Sequence, residues 1–597
     1  MLVCNLTSIK KKLGKVFMKK IEVKSPLVIL HGDEMAQVAF DMIIERFVKK
    51  YLKIPLHEMD LSAKNRLKTN GKIVTDSVER LLECGVGIKN AGITVNKKQL
   101  DDLIAELLAQ GHAIDKKSLD KLATKSPNGT IRKGIHGNIT REDIPFNNLK
   151  QIIPQWHGKK IDVLTMETGG LIDSFNQVSQ FGGILRLEFT DSKGKKHLLH
   201  SRPIEKGDPY LLATNDIQQV KKWAEDLFSR AIKEGRDVYV GLKDTVMPGY
   251  DGVMKDAVEE VFKHKFADKF NQKGLKYEYG LIDAQAAAMV VNPPDSALWG
   301  IPDNTSGRKM YKLVNELKEY GVPERKHRVA ISRMSAGGGD QYGSFNTPAQ
   351  DNGILTISIG TRTLHAREVS AGDPIMLMSN DPKAIKDWVG QSFADAAKKD
   401  QEIYFGLKRE YMEYDNLFSD IINEVRDELA EGGKTPPPLM MMTPSKQLNK
   451  MVCDPPRNAR YAALNLDGDI FSDITAALGG SLATASSIIA SKQGTMLFEA
   501  PHGTAPDLYI KYLKSNGKEV LFNPSALLYA VANALEVIAE REGNTTLLEY
   551  SEKLKNALIA TVDDGIITGD IKGKTTDPDK EKLVNLPAFL DEVESRL

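Results

Sequence analysis

The middle of the chain contains a long internal repeat, and this repeat constrains the possible fold more than any other feature of the sequence. Short stretches recur in the same order later in the chain, at an offset that stays at about 165 residues from Gly207 onward. They are S-F-N (174–176 and 344–346), G-I-L (183–185 and 353–355), G-D-P (207–209 and 372–374), N-D (215–216 and 380–381), a tryptophan (Trp223 and Trp388) and G-L-K (241–243 and 406–408). Ordered matches at a near-constant offset indicate two copies of one domain rather than a solenoid. The second copy either adds bulk or replaces a second subunit within one chain.

The two ends of the chain have a different pattern. The apolar runs at 25–31 and 85–90 predict buried strands, and the periodic stretch at 36–50 predicts an amphipathic helix between them. Two more helices are predicted near the C-terminus, at 523–540 and 551–562. This alternation of strands and helices predicts a parallel α/β sheet.

The repeat and the flanking pattern together predict the domain organisation. The stretch D-N-T-S-G-R-K (303–309) and the periodic stretch after it are interpreted as a connector, made of a polar loop and one helix. The predicted parts are a leader or mis-start extension (1–17), a discontinuous large domain (18–137 and 481–597), small-domain copy one (138–302), a linker (303–325) and small-domain copy two (326–480).

Composition excludes several classes of function. The formal net charge of +1 gives no general attraction to nucleic acid or to an acidic membrane, and no stretch approaches the roughly 20 apolar residues that cross a bilayer. The three cysteines lie far apart in no metal-binding or redox spacing, which indicates a reducing compartment. We expect the cytoplasm, or an organelle matrix if residues 1–17 are a transit peptide.

One loop offers a group of anion-binding side chains. The stretch S-P-N-G-T-I-R (126–132) and the nearby Arg141 supply a hydroxyl, an amide and two guanidinium groups. Guanidinium groups bind carboxylates in a bidentate geometry, so this set suits a small molecule with several carboxylates. A simple turn between two elements remains the alternative interpretation.

An acidic motif, N-L-D-G-D-I-F-S-D (465–473), is the strongest candidate for a metal site. Asp469 and Asp473 are four residues apart, so on a helix they share one face and could hold one hard divalent cation. The equally open alternative is a helix N-terminus whose acids complement the helix dipole.

A third motif, F-E-A-P-H-G-T-A-P-D (498–507), predicts a loop that contains His502 and leads into a short helix. The sequence has no G-x-G-x-x-G fingerprint and no P-loop, which argues against a standard Rossmann or Walker nucleotide site.

Taken together, these motifs resemble the isocitrate dehydrogenase family of β-decarboxylating dehydrogenases. The resemblance rests on six stretches in order: G-D-E-M (32–35), G-I-K-N-A-G-I-T (87–94), S-P-N-G-T-I-R, N-L-D-G-D-I-F-S-D, E-A-P-H-G-T-A-P-D and F-N-P-S-A (522–526). It implies an α/β fold with a large domain and, because of the repeat, two tandem copies of the small α/β domain with its clasp. The first part resembles eukaryotic-type NADP enzymes, whereas the H-G-T-A-P-D loop is more similar to bacterial and NAD-using members.

The resemblance implies oxidative decarboxylation of isocitrate to 2-oxoglutarate and CO2, with reduction of NAD and with Mg²⁺ or Mn²⁺. By similarity, the substrate would contact Thr94, Ser126, Asn128, Arg132, Arg141 and Arg333. The polar Ser126 and Asn128 favour isocitrate over isopropylmalate or homoisocitrate, because unpaired buried donors reject an apolar group. Arg333 matches least well, since its spacing to Tyr342 is longer than in the family pattern.

The family's catalytic residues are divided between the two copies. Copy one offers a lysine that moves the hydroxyl proton (Lys243) and a metal-binding aspartate (Asp283), while copy two offers the proton-donating Tyr342 and the aspartates of the acidic motif. Family members are usually dimers in which each active site borrows the lysine and one metal-binding aspartate from the partner subunit. We therefore expect a monomer in which copy one stands in for that partner, with a homodimer as the alternative.

The same resemblance implies a set of cofactor-binding residues: Lys89, Glu499, His502, Gly503, Thr504, Ala505, Asp507 and Asn523. NADP-using relatives place a basic residue where this chain has Asp507, whose carboxylate repels a 2′-phosphate and accepts a bond from a free ribose hydroxyl. NAD is therefore expected and NADP is the alternative.

A non-catalytic regulatory homologue is the alternative function of a different class. Against it, every catalytic role is retained once across the two copies.

Overall fold

The computed structural model describes residues 20–93, 97–114, 119, 123, 127–166, 168–323, 329–334, 341–408 and 413–597. It divides into two compact units, and the first contains residues 1–126, 497–569 and 580–597. The predicted extension at 1–17 and two substrate-site candidates, Thr94 and Ser126, lie outside the described residues. Among the described helices, none combines the length and apolar character that a bilayer crossing requires.

Unit 1 is built on a small α/β sheet. Its strands lie in the order Met496–Glu499, Val86–Lys89, Leu27–His31 and Leu56–Asp60, and the last three are parallel. Two-residue strands pair Ile21–Glu22 with Leu52–Lys53 and Ile566–Ile567 with Lys582–Leu583. Its helices are Glu34–Ile43 (continued by a π-helical turn at Ile44–Lys49), Ala63–Lys68, Lys72–Cys84, Lys97–Ala109, Pro506–Lys514, Ser525–Glu542, Thr545–Asp563 and Leu586–Glu594.

The predicted elements of this unit are confirmed. The helix Ser525–Glu542 is buried on most of its surface because alanine and leucine occupy nearly every turn, and the strand Leu27–His31 is buried over its first four residues. The apolar runs in the sequence therefore mark the core of unit 1.

Unit 2 contains residues 127–496 and 570–579, and two parallel sheets organise it. The first sheet orders its strands Tyr277–Leu281, Asp237–Leu242, Ser296–Ile301 and Lys160–Thr165. The second orders Leu439–Met442, Glu402–Gly406, Ala459–Leu464 and Val329–Met334 in the same way, also parallel, and then adds Gly137–Asp143 and Ala485–Ser491 antiparallel. The two halves of unit 2 thus share one strand order and one set of connections.

Two antiparallel sheets take two strands from each half of unit 2. One orders Phe345–Pro348, Pro374–Ser379, Pro209–Thr214 and Phe175–Val178, and the other orders Lys196–Ile204, Gly183–Asp191, Gly353–Ile359 and Arg362–Val369. Because strands of one half hydrogen-bond to strands of the other, the halves cannot separate without breaking both sheets.

The helices of unit 2 are Asn128–Gly134, Ile217–Glu234, Asp251–Val261, Ala267–Lys273, Ile282–Val291, Asn304–Tyr320, Pro382–Lys398, Glu413–Glu431, Pro444–Cys453 and Asn465–Leu478. One apolar core joins Ile282–Val291 and Asn304–Tyr320 from the first half to Pro444–Cys453 and Asn465–Leu478 from the second. The helices of the two halves therefore pack against each other in one shared core.

The polar loop predicted at 303–309 is wrong. Asn304 already begins the helix Asn304–Tyr320, and Asp303 caps it by accepting a hydrogen bond from the Ser306 N–H at 3.0 Å. The polar residues are helix-start residues rather than loop residues. Gly307 lets this turn approach the first sheet, since a Cβ there would lie 2.2 Å from Thr165 Oγ1. The mixed α/β class itself is confirmed.

Candidate active site

A buried helix of unit 2, Asn465–Leu478, carries the acidic motif and is called the acidic helix below. It starts directly after the strand Ala459–Leu464, so its first turns lie at the carboxyl edge of the sheet. Asp469 and Asp473 are both buried or nearly so and share one face of the helix. The sequence prediction of a helix carrying both acids on one face is therefore confirmed.

Lys243 brings the first half of unit 2 to the acidic helix. It follows the strand Asp237–Leu242 and forms an ion pair with Asp283, which lies at the start of the neighbouring helix Ile282–Val291. Its Nζ also lies 3.2 Å from Asp469 Oδ2. One ammonium group therefore bridges an aspartate of each half.

Tyr342 completes this cluster from the second half. Its hydroxyl donates a hydrogen bond to Asp469 Oδ2 at 2.7 Å, and Lys243 Nζ lies 5.8 Å from the centre of its ring. A lysine, a tyrosine and two aspartates thus meet within unit 2, although the sequence separates Lys243 from Asp469 by more than 200 residues.

Two arginines also contact the aspartates of the acidic helix. Arg333 donates to Asp469 Oδ1 at 2.6 Å and to Asn465 Oδ1 at 2.8 Å. Arg141 lies 3.1 Å from Asp473 Oδ1 and donates to Ser472 Oγ at 2.8 Å. Gly468 makes room for Arg333, because a Cβ there would lie 2.3 Å from its Cγ.

The remaining described residues of the substrate loop lie on the short helix Asn128–Gly134. Asn128 and Arg132 are partly buried there. The pKa of the buried Arg333 is lowered, mainly by burial and also by the positive charge of Arg132. Three arginines therefore gather near one helix. Such a cluster of guanidinium groups offers bidentate sites for more than one carboxylate.

The charges of this cluster depend strongly on one another. Burial opposes ionisation of Asp469, but Arg333, Lys243 and Arg141 hold the pKa of this carboxyl well below its usual value. Burial, and then the Asp469 carboxylate, raise the pKa of Asp473 to about 7. The pKa of Lys243 is raised, because Asp469 and Asp283 outweigh the effect of its burial. Burial and the nearby Asp469 also raise the pKa of the Tyr342 hydroxyl.

The donor set fits a hard divalent cation. Asp283, Asp469 and Asp473 supply only carboxylate oxygens, which Mg²⁺ and Mn²⁺ prefer. Asp283 Oδ1 is buried and has no hydrogen-bond partner among the described residues, so it remains available as a ligand. These carboxylates are now held by cationic side chains, and within the described ranges no three acidic, histidine or cysteine side chains are already placed as a metal cage.

The second half contains a lysine in the equivalent place, with different neighbours. Lys408 follows the strand Glu402–Gly406 as Lys243 follows its own strand, but its Nζ lies 3.9 Å from Asp467. Asp467 is already paired with the buried Lys309. Lys408 therefore faces a carboxylate that another ammonium group has neutralised.

The acids of the first site have no acidic counterparts in the second. Gln285 and Gln447 occupy matching places, because each donates to a carbonyl of the adjacent strand. The residue two positions before the glutamine is Asp283 in the first half and Ser445 in the second. The helix Asn304–Tyr320 also begins Asn-x-x-Gly like the acidic helix, so in the sequence Arg308 corresponds to Asp469 and Lys312 corresponds to Asp473. At these two corresponding positions the chain has exposed basic residues instead of acids.

The residues predicted to bind the cofactor lie in unit 1. Lys89 and Glu499 form a buried ion pair at 2.9 Å, Thr504 bonds to Glu34, and Asn523 Oδ1 accepts the Ser525 N–H at 3.0 Å. His502 packs edge-on against Phe522 at 5.1 Å.

The loop between His502 and the following helix is open to solvent at Gly503. Ala505 has a φ of +56°, which turns the chain into the helix Pro506–Lys514. Asp507 is exposed in the first turn of that helix. Among these residues, Lys89 and Glu499 form an ion pair with each other, whereas Gly503 and Asp507 are exposed to solvent.

Two contacts of the acidic helix were missed by sequence reasoning. Asn465 and Ser472 lie within the quoted motif, but nothing in their spacing assigned them to Arg333 and Arg141. Lys309 was missed because it lies 158 residues from Asp467 in a stretch interpreted as a polar loop.

Comparison with known proteins finds similarity to one family of dehydrogenases. A family model described as isocitrate/isopropylmalate dehydrogenase matches residues 356–593. The NADP isocitrate dehydrogenase of Sphingobium yanoikuyae is 30% identical over 275 residues, and the mitochondrial NADP enzyme of Saccharomyces cerevisiae is 31% identical over 274 residues. NADP isocitrate dehydrogenase 1 of Mycobacterium bovis is 32% identical over 272 residues.

Each of these alignments covers 45% of this chain and 63%, 60% and 62% of the respective relative. The chain thus spans less than two thirds of the length of these relatives. The match includes the acidic helix and the H-G-T-A-P-D loop. The resemblance inferred from the motifs is confirmed: residues 356–593 match the isocitrate/isopropylmalate dehydrogenase family, and the relatives are isocitrate dehydrogenases.

Proposed function

We propose that this protein oxidises isocitrate to 2-oxoglutarate and CO2, at one site assembled from both halves of unit 2. The observation that carries the proposal is the meeting of Lys243 and Asp283 from the first half with Tyr342 and Asp469 from the second. This set contains a proton-transferring amine, a proton-donating phenol and carboxylates for a divalent cation, which are the roles that the reaction needs.

The arginines bind and orient the substrate in this proposal. Arg132, Arg141 and Arg333 lie near one end of the acidic helix and offer planar donors to the carboxylates of isocitrate. Asn128 adds an amide beside them. These polar groups favour isocitrate over isopropylmalate, because an apolar group in their place leaves buried donors unpaired.

Two side chains move protons. The carboxylates of Asp283 and Asp469 hold Lys243 charged, so a cation that takes over these carboxylates would let Lys243 release its own proton to solvent. The neutral Lys243 amine then takes the proton of the C2 hydroxyl as the C2 hydride leaves, which produces a carbonyl. After the bond between C3 and its carboxyl group breaks and CO2 departs, the Tyr342 hydroxyl returns a proton to C3. A bound Mg²⁺ or Mn²⁺, held by Asp283, Asp469 and Asp473, would polarise the C2 oxygen, and a nicotinamide dinucleotide would accept the hydride.

The site is proposed to be complete within one chain. Two features support this: the paired strand orders of the two halves, and the hydrogen-bonded sheets that both halves share. The Lys408 surroundings support a single site per chain, since Ser445 and basic side chains replace the cation-binding acids. The two small-domain copies would then correspond to the two subunits of a dimer.

For the cofactor we propose NAD. The exposed Asp507 stands in the first turn of the helix Pro506–Lys514, where its carboxylate disfavours a 2′-phosphate. NADP is the second candidate, favoured by the names of the relatives, all three of which are NADP isocitrate dehydrogenases.

The proposal is tested by following reduction of NAD and of NADP at 340 nm, roughly the absorbance maximum of the reduced nicotinamide. Isocitrate, isopropylmalate and homoisocitrate are compared with Mn²⁺ and with EDTA. We expect isocitrate-dependent, EDTA-sensitive reduction that is faster with NAD. A protein that binds isocitrate without turnover would instead support the regulatory homologue, and a clear NADP preference would overturn the role given to Asp507.

A further inference from the structure

The backbone of Lys243 is held by a buried aspartate that no motif singled out. Asp251, the first residue of the helix Asp251–Val261, accepts the Lys243 N–H on Oδ2 at 2.8 Å. Asp251 is 3% exposed, so little water competes for this bond. Oδ1 is also buried and has no hydrogen-bond partner among the described residues.

The carbonyl of Lys243 is fixed as well. It accepts the N–H groups of Val246 and Met247 at 3.2 and 3.0 Å, which form the turn that follows the strand Asp237–Leu242. The N–H of Gly249 in the same loop donates to Asn346 Oδ1 of the second half at 2.8 Å. The backbone on both sides of the catalytic lysine is therefore anchored before its side chain begins.

The second half contains the same bond around the lysine that the proposed mechanism does not use. Asp415 Oδ2 accepts the Lys408 N–H at 2.6 Å, and Asp415 is 2% exposed. The two aspartates thus share burial, acceptor atom and partner atom. They differ in the lysine that they hold: Lys243 reaches Asp283 and Asp469, while Lys408 reaches the already paired Asp467.

We propose that Asp251 is a positioning residue for the reaction, which places Lys243 Nζ against the substrate hydroxyl by fixing the lysine backbone. This inference rests on the proposed function, because it gives Asp251 a role only through Lys243. Asp415 is its structural twin without a catalytic task. Comparing Asp251 with Asp415 therefore separates the contribution of this hydrogen bond to stability from its contribution to catalysis.

The acceptor atom, rather than negative charge, is what the position requires. Burial, and then the neighbouring Asp303 carboxylate, raise the pKa of Asp251 to about 8, so the side chain is largely neutral near pH 7. An asparagine keeps an acceptor of the same reach and carries no charge. Asp251→Asn should therefore preserve the Lys243 geometry much better than Asp251→Ala.

The experiment compares Asp251→Ala, Asp251→Asn and Asp415→Ala in the full chain, with thermal unfolding recorded for each variant. For Asp251→Ala we expect kcat to fall by about 10- to 100-fold, since a displacement near 1 Å can cost about 100-fold. KM for isocitrate should stay nearly constant, because the arginines that bind the carboxylates are untouched. Asp415→Ala should lose comparable thermal stability and keep a kcat close to that of the unchanged protein.

A second arm places Asp251→Ala in a Lys243→Met background. A residue that acts through Lys243 should then cause no further loss of the residual rate. A further loss of the same size as in the unchanged protein would overturn the inference, as would equal losses of kcat in Asp251→Ala and Asp415→Ala. If Asp251→Ala does not fold, Asp251→Ser, whose hydroxyl is too short to reach the amide, takes its place in both arms.

The two hypotheses fail in different ways. Absence of isocitrate-dependent reduction in the unchanged protein, or full activity of Lys243→Met, would reject the proposed function. Full kcat in Asp251→Ala, alongside an inactive Lys243→Met, would reject only the positioning role.

Discussion

The two lysines that end equivalent strands of unit 2 have opposite surroundings. Lys243 lies between Asp283 and Asp469, beside a tyrosine, whereas Lys408 faces Asp467, which Lys309 has already neutralised. The backbone bond to a buried aspartate is the same in both. The two halves therefore hold the lysine backbone in the same way, and a few different side chains give the two lysines different surroundings.

The surroundings of Lys408 balance the buried charge of Asp467 without a cation. Acids that would repel one another without a cation are replaced by serine, arginine and lysine, and the remaining Asp467 gains an ammonium partner of its own. Around Lys408, two ammonium groups face one carboxylate, so no negative charge is left for a cation to neutralise. Around Lys243, by contrast, Asp283 Oδ1 has no hydrogen-bond partner among the described residues.

The largest expected effect on kcat comes from replacing one of the two lysines, Lys243 or Lys408, with methionine. Lys243→Met should lower kcat by about 10²- to 10⁴-fold, the usual contribution of a positioned proton-transfer group. Lys408→Met should leave kcat close to its original value, because the carboxylate near its Nζ is Asp467, which is not part of the proposed site. Steady-state kinetics with isocitrate checks both. Loss of activity in Lys408→Met alone would reverse the roles of the two halves.

The next effect concerns the ion pair that neutralises the unused site. Lys309→Met leaves Asp467 buried with only the more distant Lys408, and breaking a buried pair in this way costs about 3–5 kcal/mol of unfolding free energy. Denaturant unfolding measures the loss. Lys312→Met, three residues along the same helix and exposed, is the control and should change little. Equal stability of the two variants would show that the pair is not needed.

A third prediction concerns cation binding. Asp283→Asn should weaken Mn²⁺ binding at least about tenfold, the lower end of the cost of losing even an outer-shell partner of a metal. Ser445→Ala, at the matching place of the unused site, should bind Mn²⁺ as the unchanged protein does. Calorimetric titration in the absence of substrate measures both affinities. Unchanged Mn²⁺ affinity in Asp283→Asn would remove this residue from the site.

The smallest expected effect lies in unit 1. Asp507→Lys should raise the preference for NADP over NAD by roughly tenfold, because a cation replaces a carboxylate near the proposed ribose position. Asp507→Asn removes the charge alone and should give an intermediate ratio. The ratio of kcat/KM for the two cofactors is the measurement, and an unchanged ratio in both variants would place the cofactor's ribose elsewhere.

Much of the site could be predicted from local motifs. The acidic helix, the lysine after the G-L-K strand and the tyrosine of the second half were identified by resemblance, and the structure brings Lys243, Asp283, Tyr342 and Asp469 together. Local patterns work there because each residue sits at the end of a regular element. Strand ends and first helical turns meet at one edge of a parallel sheet.

The contacts that cross the molecule could not be predicted. Nothing near Lys309 indicates Asp467 as its partner, and the polar stretch around it suggested a loop, although it starts a buried helix. Asp251 is a subtler case. The segment after Lys243 offers Asp244 and Asp251 equally, and only the fold shows that Asp244 pairs with Lys255 while Asp251 binds the lysine backbone.

The central claim, one complete active site within each chain, is tested most directly by complementation. Lys243→Met disables the first half and Tyr342→Phe disables the second. The two variants are co-expressed with different tags, and the purified mixture is assayed with isocitrate and Mn²⁺. A site within one chain predicts that the mixture stays as inactive as either variant alone. A site shared between chains would instead restore roughly a quarter of the original activity, because mixed dimers would rebuild one intact site. That recovery would contradict the single-chain account.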